Sequence, residues 1–121
     1  MFALRQARIL APMVASDLSP LLAEIEGMLS QPPVGGPAAI ARVEETLTDG
    51  YARALEIEAE RWRLERRIAA VARGVSEGRI DGAAEELAGL STRLAVVDED
   101  LTRLRAVLAS LRRHADAVRA A

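Results

Sequence analysis

Two stretches decide the fold, residues 40–75, IARVEETLTDGYARALEIEAERWRLERRIAAVARGV, and residues 87–118, LAGLSTRLAVVDEDLTRLRAVLASLRRHADAV. In both, apolar positions recur with alternating steps of three and four. The first series is Ile40, Val43, Leu47, Gly50, Ala54, Ile57, Arg61, Leu64, Ile68, Val71 and Val75. The second series is Leu87, Leu90, Leu94, Val97, Leu101, Leu104, Leu108, Leu111, Ala115 and Val118. This spacing is typical of a helix that buries one stripe against a partner helix, and neither stretch contains proline.

The two stretches are joined by a glycine-rich segment, GVSEGRIDG at residues 74–82. Gly78 suits the left-handed residue that ends a helix, and Asp81 suits the N-cap of the next helix. A connection this short makes neighbouring helices antiparallel. The sequence therefore predicts an all-α fold, a long antiparallel coiled-coil helical hairpin over residues 38–121 with its turn near residues 77–81.

Charged residues beside the two stripes indicate the register of this hairpin. A turn at residues 77–79 pairs Val75 with Ile80 and predicts these opposite charges facing each other: Arg53 with Asp100, Glu60 with Arg93, Arg67 with Glu86, and Glu44 with Arg112. Glu58 near Asp98 is the one like-charged pair. Each exposed ion pair contributes ~0.2–1 kcal/mol, so we expect these charges to select the register more than they stabilise it.

Two small residues interrupt the first stripe. Gly50 and Ala54 leave space that Leu104 and Leu101 would fill in this register. We therefore expect the two helices to approach each other closely at this level.

Arg61 is the charged member of the first stripe, and it faces Leu94 in this register. Its stem can pack between the helices while its guanidinium reaches Glu58 or Glu65 at the surface. A second interpretation is that Arg61 sets the register or the oligomeric state by disfavouring other pairings, as a polar residue in such a stripe can.

Residues 1–30 are predicted to be an N-terminal apolar arm with a short helix. Ser19 suits its N-cap and Pro20 its first turn, and the helix would end near Ser30. Its apolar residues include Leu21, Leu22, Ile25 and Met28. A helix this short is not stable alone, so we expect it to dock on the hairpin or on a second chain. Residues 2–15 are compatible with a further short helix.

Residues 31–37, QPPVGGP, are predicted to be a linker. Three prolines and two glycines in this segment exclude both a helix and a central strand. The linker would let the short helix fold back onto the hairpin or reach a second copy.

A second row of apolar residues lies beside the first stripe, at Tyr51, Leu55 and Trp62. A two-helix hairpin buries one stripe per helix, so this row needs a cover. The candidates are the short N-terminal helix and a second copy that completes a four-helix bundle. The predicted partner interface is therefore Tyr51, Leu55 and Trp62, together with Leu21, Leu22, Ile25 and Met28.

The composition argues against several classes of function. The net charge is −2, which gives no strong reason for a nucleic-acid or membrane-surface partner. One histidine and no cysteine cannot form a zinc site, and Asp98, Glu99 and Asp100 diverge around a helix instead of converging on an ion. No phosphate-binding glycine loop or activated nucleophile is recognisable. We expect no enzyme activity, no cofactor, no metal and no small-molecule substrate.

In general shape the predicted hairpin is similar to small helical-hairpin proteins such as type VII secretion substrates, which carry a Trp-x-Gly motif at the turn. The turn here, GVSEG at residues 74–78, contains no tryptophan. Trp62 lies about three helical turns before it. The resemblance covers architecture and extends to no functional residue.

These observations predict a non-enzymatic module for protein–protein interaction or assembly, which self-associates as a homodimer through the second apolar row. The alternative is a small adaptor or chaperone-like subunit that binds a different, helical protein. A third hypothesis is a nucleic-acid or membrane-surface binder that uses the arginines. No run of residues reaches the length of a membrane span, and we expect a cytoplasmic location.

Overall fold

A computed structural model describes the backbone of residues 13–121 and the side chains from Leu18 onward. Within these residues the chain is all-α and contains no strand. Helix α1 spans Met13–Leu29, helix α2 spans Pro37–Ser76 and helix α3 spans Ala83–Ala120. The further helix predicted within residues 2–15 falls mostly outside the described residues.

Helices α2 and α3 run in opposite directions and pack along their inner sides. Arg67 of α2 meets Glu86 at the start of α3, and Glu44 near the start of α2 meets Arg119 at the end of α3. The buried residues between them form one continuous core with α1. Its members on the two long helices are Val43, Leu47, Ala54, Ile57, Leu64, Leu90, Val97, Leu101, Leu104, Leu108, Leu111 and Ala115.

The connection between the long helices differs in part from the prediction. Gly78 has a φ of +92°, the left-handed conformation expected of it after a helix end. The N-cap of α3 is Gly82, with a φ of +72°, and not Asp81. Val75 and Ile80, which the predicted register paired, are both exposed. The connection therefore occupies residues 77–82 instead of closing tightly at residues 77–79.

The longer connection moves the register of the hairpin. Gly50 is buried against Leu108, one helical turn beyond the predicted Leu104. Arg61 pairs with Asp98 instead of lying over Leu94. Both differences have the same direction, since Gly50 and Arg61 each meet a residue further toward the C-terminal end of α3 than predicted.

Helix α1 begins before the predicted N-cap at Ser19 and continues through Pro20. A proline inside a helix removes one backbone hydrogen bond and costs ~3 kcal/mol in a helix interior. Burial offsets this cost, because Leu18, which precedes the proline, is buried in the core with Leu22 and Ile25. These three residues have helical spacing and face the long helices, chiefly α3.

Candidate partner interface

Helix α1 covers one side of the hairpin. Leu18, Leu22 and Ile25 are at most 4% exposed. Beside them, the hydroxyl of Thr46 on α2 donates a hydrogen bond to Oε1 of Glu24 at 3.0 Å. The short helix therefore docks within its own chain, on the side of α2 that carries Thr46.

Four of the residues predicted to contact a partner lie on α1 and are therefore placed against the hairpin by this docking. Leu22 and Ile25 are buried in the core, and Leu21 and Met28 are partly buried against it. In this arrangement Leu22 and Ile25 stabilise the fold of their own chain, and only part of the surface of Leu21 and Met28 remains open.

The other three predicted residues remain exposed. Leu55 is nine positions after Thr46, and about 3.6 residues make one helical turn, so the two side chains leave α2 on opposite sides. Tyr51 is 41% exposed, Leu55 66% and Trp62 58%. We call Tyr51, Leu55 and Trp62 the outer row. Helix α1 does not cover it.

A shallow groove of about 440 Å³ runs between α2 and α3 beside the outer row. Its walls are mostly apolar, and they include Tyr51, Leu55, Leu108 and Ala109. Three charged residues, Glu58, Arg105 and Arg112, stand at its edges. The groove is open to solvent and extends the apolar surface of the outer row toward α3.

Polar contacts between α2 and α3 lie at the edges of this groove. Arg105 of α3 forms an ion pair with Glu58 of α2. Nη1 of Arg112 donates a hydrogen bond to the hydroxyl oxygen of Tyr51 at 3.3 Å. This hydrogen bond raises the pKa of Arg112 above its ordinary value. The Tyr51 hydroxyl is thereby linked to α3 at the groove.

Trp62 extends the outer row toward the turn. The guanidinium of Arg66 lies 4.6 Å from the centre of the indole ring, within the range of a cation–π contact. More than half of the Trp62 surface nevertheless remains open to water. Large aromatic residues in such positions are frequent energetic centres of protein interfaces.

The residues predicted to set the register form only some of the expected pairs. Arg67 pairs with Glu86 at 2.6 Å, and Arg93 pairs with Glu60 at 3.2 Å. Both pairs lie in the half of the hairpin nearer the turn. They are exposed, so their contribution to stability is small.

Other predicted pairs are replaced. Glu44 pairs with Arg119 at 2.5 Å and not with Arg112, one heptad earlier. The like-charged contact of Glu58 with Asp98 does not form, because Glu58 pairs with Arg105 and Asp98 with Arg61. In each new pair between the helices, the α2 residue meets a residue further toward the C-terminal end of α3 than predicted.

Arg61 is paired at the surface, as the first interpretation of its position anticipated. Its Nε atom lies 3.0 Å from Oδ1 of Asp98 and 3.7 Å from an oxygen of Glu65. The approach to Asp98 is an ion pair that lacks the alignment of a hydrogen bond. Whether Arg61 also sets the register stays a prediction.

Asp100 is partly buried, and its predicted partner Arg53 pairs with Glu56 instead, at 3.0 Å. Oδ2 of Asp100 is buried without a hydrogen-bond partner. Burial raises the pKa of Asp100 above its ordinary value, Glu99 raises it further, and Arg103 opposes the change. The charged form of this carboxyl is therefore disfavoured by the fold.

The described residues contain no group of three or more His, Cys, Asp or Glu side chains that could hold a metal ion. Among the helices of the same residues, none is long and apolar enough to cross a membrane. Comparison of the chain with protein-family models, with characterised proteins and with solved structures gives no match in any of the three.

The α3 side of the groove was not predicted from the sequence. Arg105, Ala109 and Arg112 lie outside the apolar stripe of α3, and Ala109 is a small residue between larger ones. Their helical spacing around Leu108 could identify them as the wall of a groove only if the register of α3 against α2 were known.

Proposed function

We propose that the chain is a non-enzymatic interaction module that self-associates through the outer row of Tyr51, Leu55 and Trp62. One observation carries this proposal. The short helix is already docked on the opposite side of the hairpin, so three large side chains on one helix face remain open to solvent. Aromatic residues are enriched where proteins bind one another.

The energy available at the outer row suits a reversible association. Fully burying a large apolar side chain contributes roughly 1.5–3 kcal/mol. A two-fold symmetric interface uses each residue twice, once from each copy. Association itself costs an estimated 4–15 kcal/mol in lost translation and rotation. We therefore expect a dimer that dissociates on dilution.

We also propose that α2 and α3 pair as an antiparallel coiled coil. The support is the spacing of the buried residues, which follow the alternating three- and four-residue steps of the two sequence stripes. Regular packing of this kind makes the hairpin a stiff support for the outer row.

The test is absolute mass by light scattering after gel filtration, across a dilution series. Leu55→Glu is the disrupting variant, and Ile80→Glu is its control. The control is closely matched, since Leu55 is 66% and Ile80 65% exposed, and Ile80 lies in the connection, away from the outer row.

We expect the wild-type chain and the Ile80 variant to pass from dimer to monomer as they are diluted, while the Leu55 variant stays monomeric throughout. A wild-type chain that is monomeric at every concentration would contradict self-association. The outer row would then be available to a different protein, as the adaptor alternative requires.

A further inference from the structure

We infer that the second copy packs antiparallel to the first, α2 against α2, with each Trp62 seated on Ala52 of the partner subunit. This inference rests on the proposed self-association and adds the orientation and the register. The proposed contact surface is the outward-facing side of α2, which neither α1 nor α3 covers.

The outward-facing side of α2 carries its own short heptad pattern. Ala52, Leu55, Ala59 and Trp62 follow one another in steps of three, four and three. All four residues are exposed. Along this stripe a small residue alternates with a large one, which is a pattern that can interlock with a copy of itself.

Only one direction of pairing uses this alternation. In an antiparallel pair with its two-fold axis near residue 57, Trp62 lies opposite the partner's Ala52, and Leu55 lies opposite the partner's Ala59. Each large side chain then meets a small one at four contacts. A parallel pair in register would instead place Trp62 on the partner's Trp62 and leave a gap between the alanines.

Charges beside the stripe favour the same register. With the axis near residue 57, Glu56 and the partner's Arg63 flank the stripe on the same side and differ in level by five residues. Glu58 and Arg105 bridge α2 and α3 at the same offset from the contact of Gly50 with Leu108. Symmetry repeats the Glu56–Arg63 pair. Both residues are exposed, and each is engaged within its own helix, Glu56 with Arg53 and Arg63 with Glu60. Their exchange across the interface would turn Glu56 away from Arg53 and Arg63 away from Glu60, and Glu60 would keep Arg93 as a partner.

Neighbouring registers bring like charges together. A shift of one heptad in one direction brings Arg63 near the partner's Arg63 beside the stripe and places Leu55 opposite the partner's Arg66. The opposite shift brings Glu56 to the partner's Glu56 at the same flanking offset and places Trp62 opposite the partner's Glu45. Like charges brought together disfavour a pairing, and so the charges at positions 56 and 63 favour the axis near residue 57.

The groove supplies the remaining contacts of Trp62. A side chain seated on the partner's Ala52 lies beside the partner's Tyr51 and Leu55, which form one wall of the groove. The indole would thus be enclosed on both sides by apolar surface. This explains why the outer row continues beyond the groove to a tryptophan two turns away.

Spin labels measure the orientation directly, because the chain contains no cysteine and a single one can be introduced at will. We would label Arg73→Cys, which is exposed near the end of α2, and measure the distance between the two labels of the full-chain dimer. Position 73 lies opposite position 41 in the proposed pair, so the two labels should be separated by ~48 Å along the helix axis.

A parallel dimer would give a separation of ~10 Å, the distance between adjacent helices, and would overturn the inference. In that case the proposed self-association would still stand, because the mass would remain that of a dimer. A chain without a dimer at any concentration would overturn both.

A size exchange tests the contact itself. We expect Ala52→Trp alone and Trp62→Ala alone each to weaken dimerisation by about tenfold or more, since a 1.4 kcal/mol change corresponds to tenfold. The double variant exchanges the large and small positions and should recover most of the affinity. Ala95→Trp, on exposed α3 surface, is the control for adding a large residue. A double variant no better than either single variant would contradict the pairing of these residues.

Discussion

Gly50 of α2 lies against Leu108 of α3 so closely that a Cβ atom at Gly50 would overlap Cδ2 of that leucine. Both residues are buried. The missing side chain leaves space that the Leu108 side chain occupies, near the level of the groove. A shift by one helical turn would leave this space facing another residue, so the contact also helps to fix the register.

Gly50→Ala should therefore destabilise the protein although alanine is the better helix former. Overpacking of a core position costs typically 1–3 kcal/mol, and we expect a loss in that range in urea unfolding. Gly89→Ala is the control, because Gly89 is exposed in α3 with open space around its Cα atom. It should gain ~0.5–1 kcal/mol. A Gly50 variant as stable as the Gly89 variant would contradict the close approach.

Arg61→Leu should stabilise the hairpin. The ion pair with Asp98 is partly exposed and contributes up to ~1 kcal/mol, while a leucine buried to the same extent as Arg61 contributes more than that. We expect a net gain of about 0.5–1 kcal/mol in the free energy of unfolding. Light scattering on the same variant tests the second role, since a mixture of masses would show that Arg61 also selects the assembly. A loss of stability would contradict this account of the site.

Asp100→Asn should stabilise the protein at neutral pH and not in acid. Because the pKa of Asp100 is raised in the folded chain, the folded state binds more protons than the unfolded state just above the ordinary value of 3.8. Stability therefore falls as the pH rises from that value through the raised pKa, and the charged carboxylate carries the full penalty above it.

The check is the difference in melting temperature between the Asn variant and the wild type at several pH values. We expect the variant to melt higher at pH 7 and the difference to shrink as the pH approaches 3.8. A variant that melts lower at pH 7 would mean that the carboxylate makes a stabilising contact.

Ile25→Ala tests the docking of α1 on the hairpin. Ile25 is fully buried against the long helices, and removing such a side chain costs about 2–5 kcal/mol. Leu55→Ala, measured at a dilution where the chain is monomeric, should change stability by less than ~0.5 kcal/mol because Leu55 is exposed. Equal effects of the two substitutions would show that α1 does not hold its position on the core.

The long helix pair could be predicted from the sequence because its apolar residues keep one spacing over many turns. The register could not, since it depends on how many residues the connection takes. Gly78 was recognised, but the N-cap of α3 is Gly82 and not Asp81, and Leu108 occupies the place expected for Leu104. Exposed ion pairs did not correct the error, because several of them can exchange partners by one heptad.

The start of α1 was mispredicted for a different reason. Ser19 and Pro20 form a strong local signal for a helix N-terminus, yet Leu18 before them is buried. Tertiary burial outweighs the local signal. The outer row, in contrast, could be recognised from the sequence by its position beside the stripe. Whether α1 covers it depends on where α1 docks, and the sequence does not specify this.

The most direct test of self-association is the fluorescence of Trp62, the one tryptophan in the sequence, followed over a dilution series of the wild-type chain. Trp62 is largely exposed in the single chain and enclosed in the proposed dimer. We predict that its emission maximum moves to longer wavelength on dilution, over the same concentrations at which the mass falls from dimer to monomer. An emission maximum that stays constant while the mass halves would place the interface elsewhere and contradict the central role of the outer row.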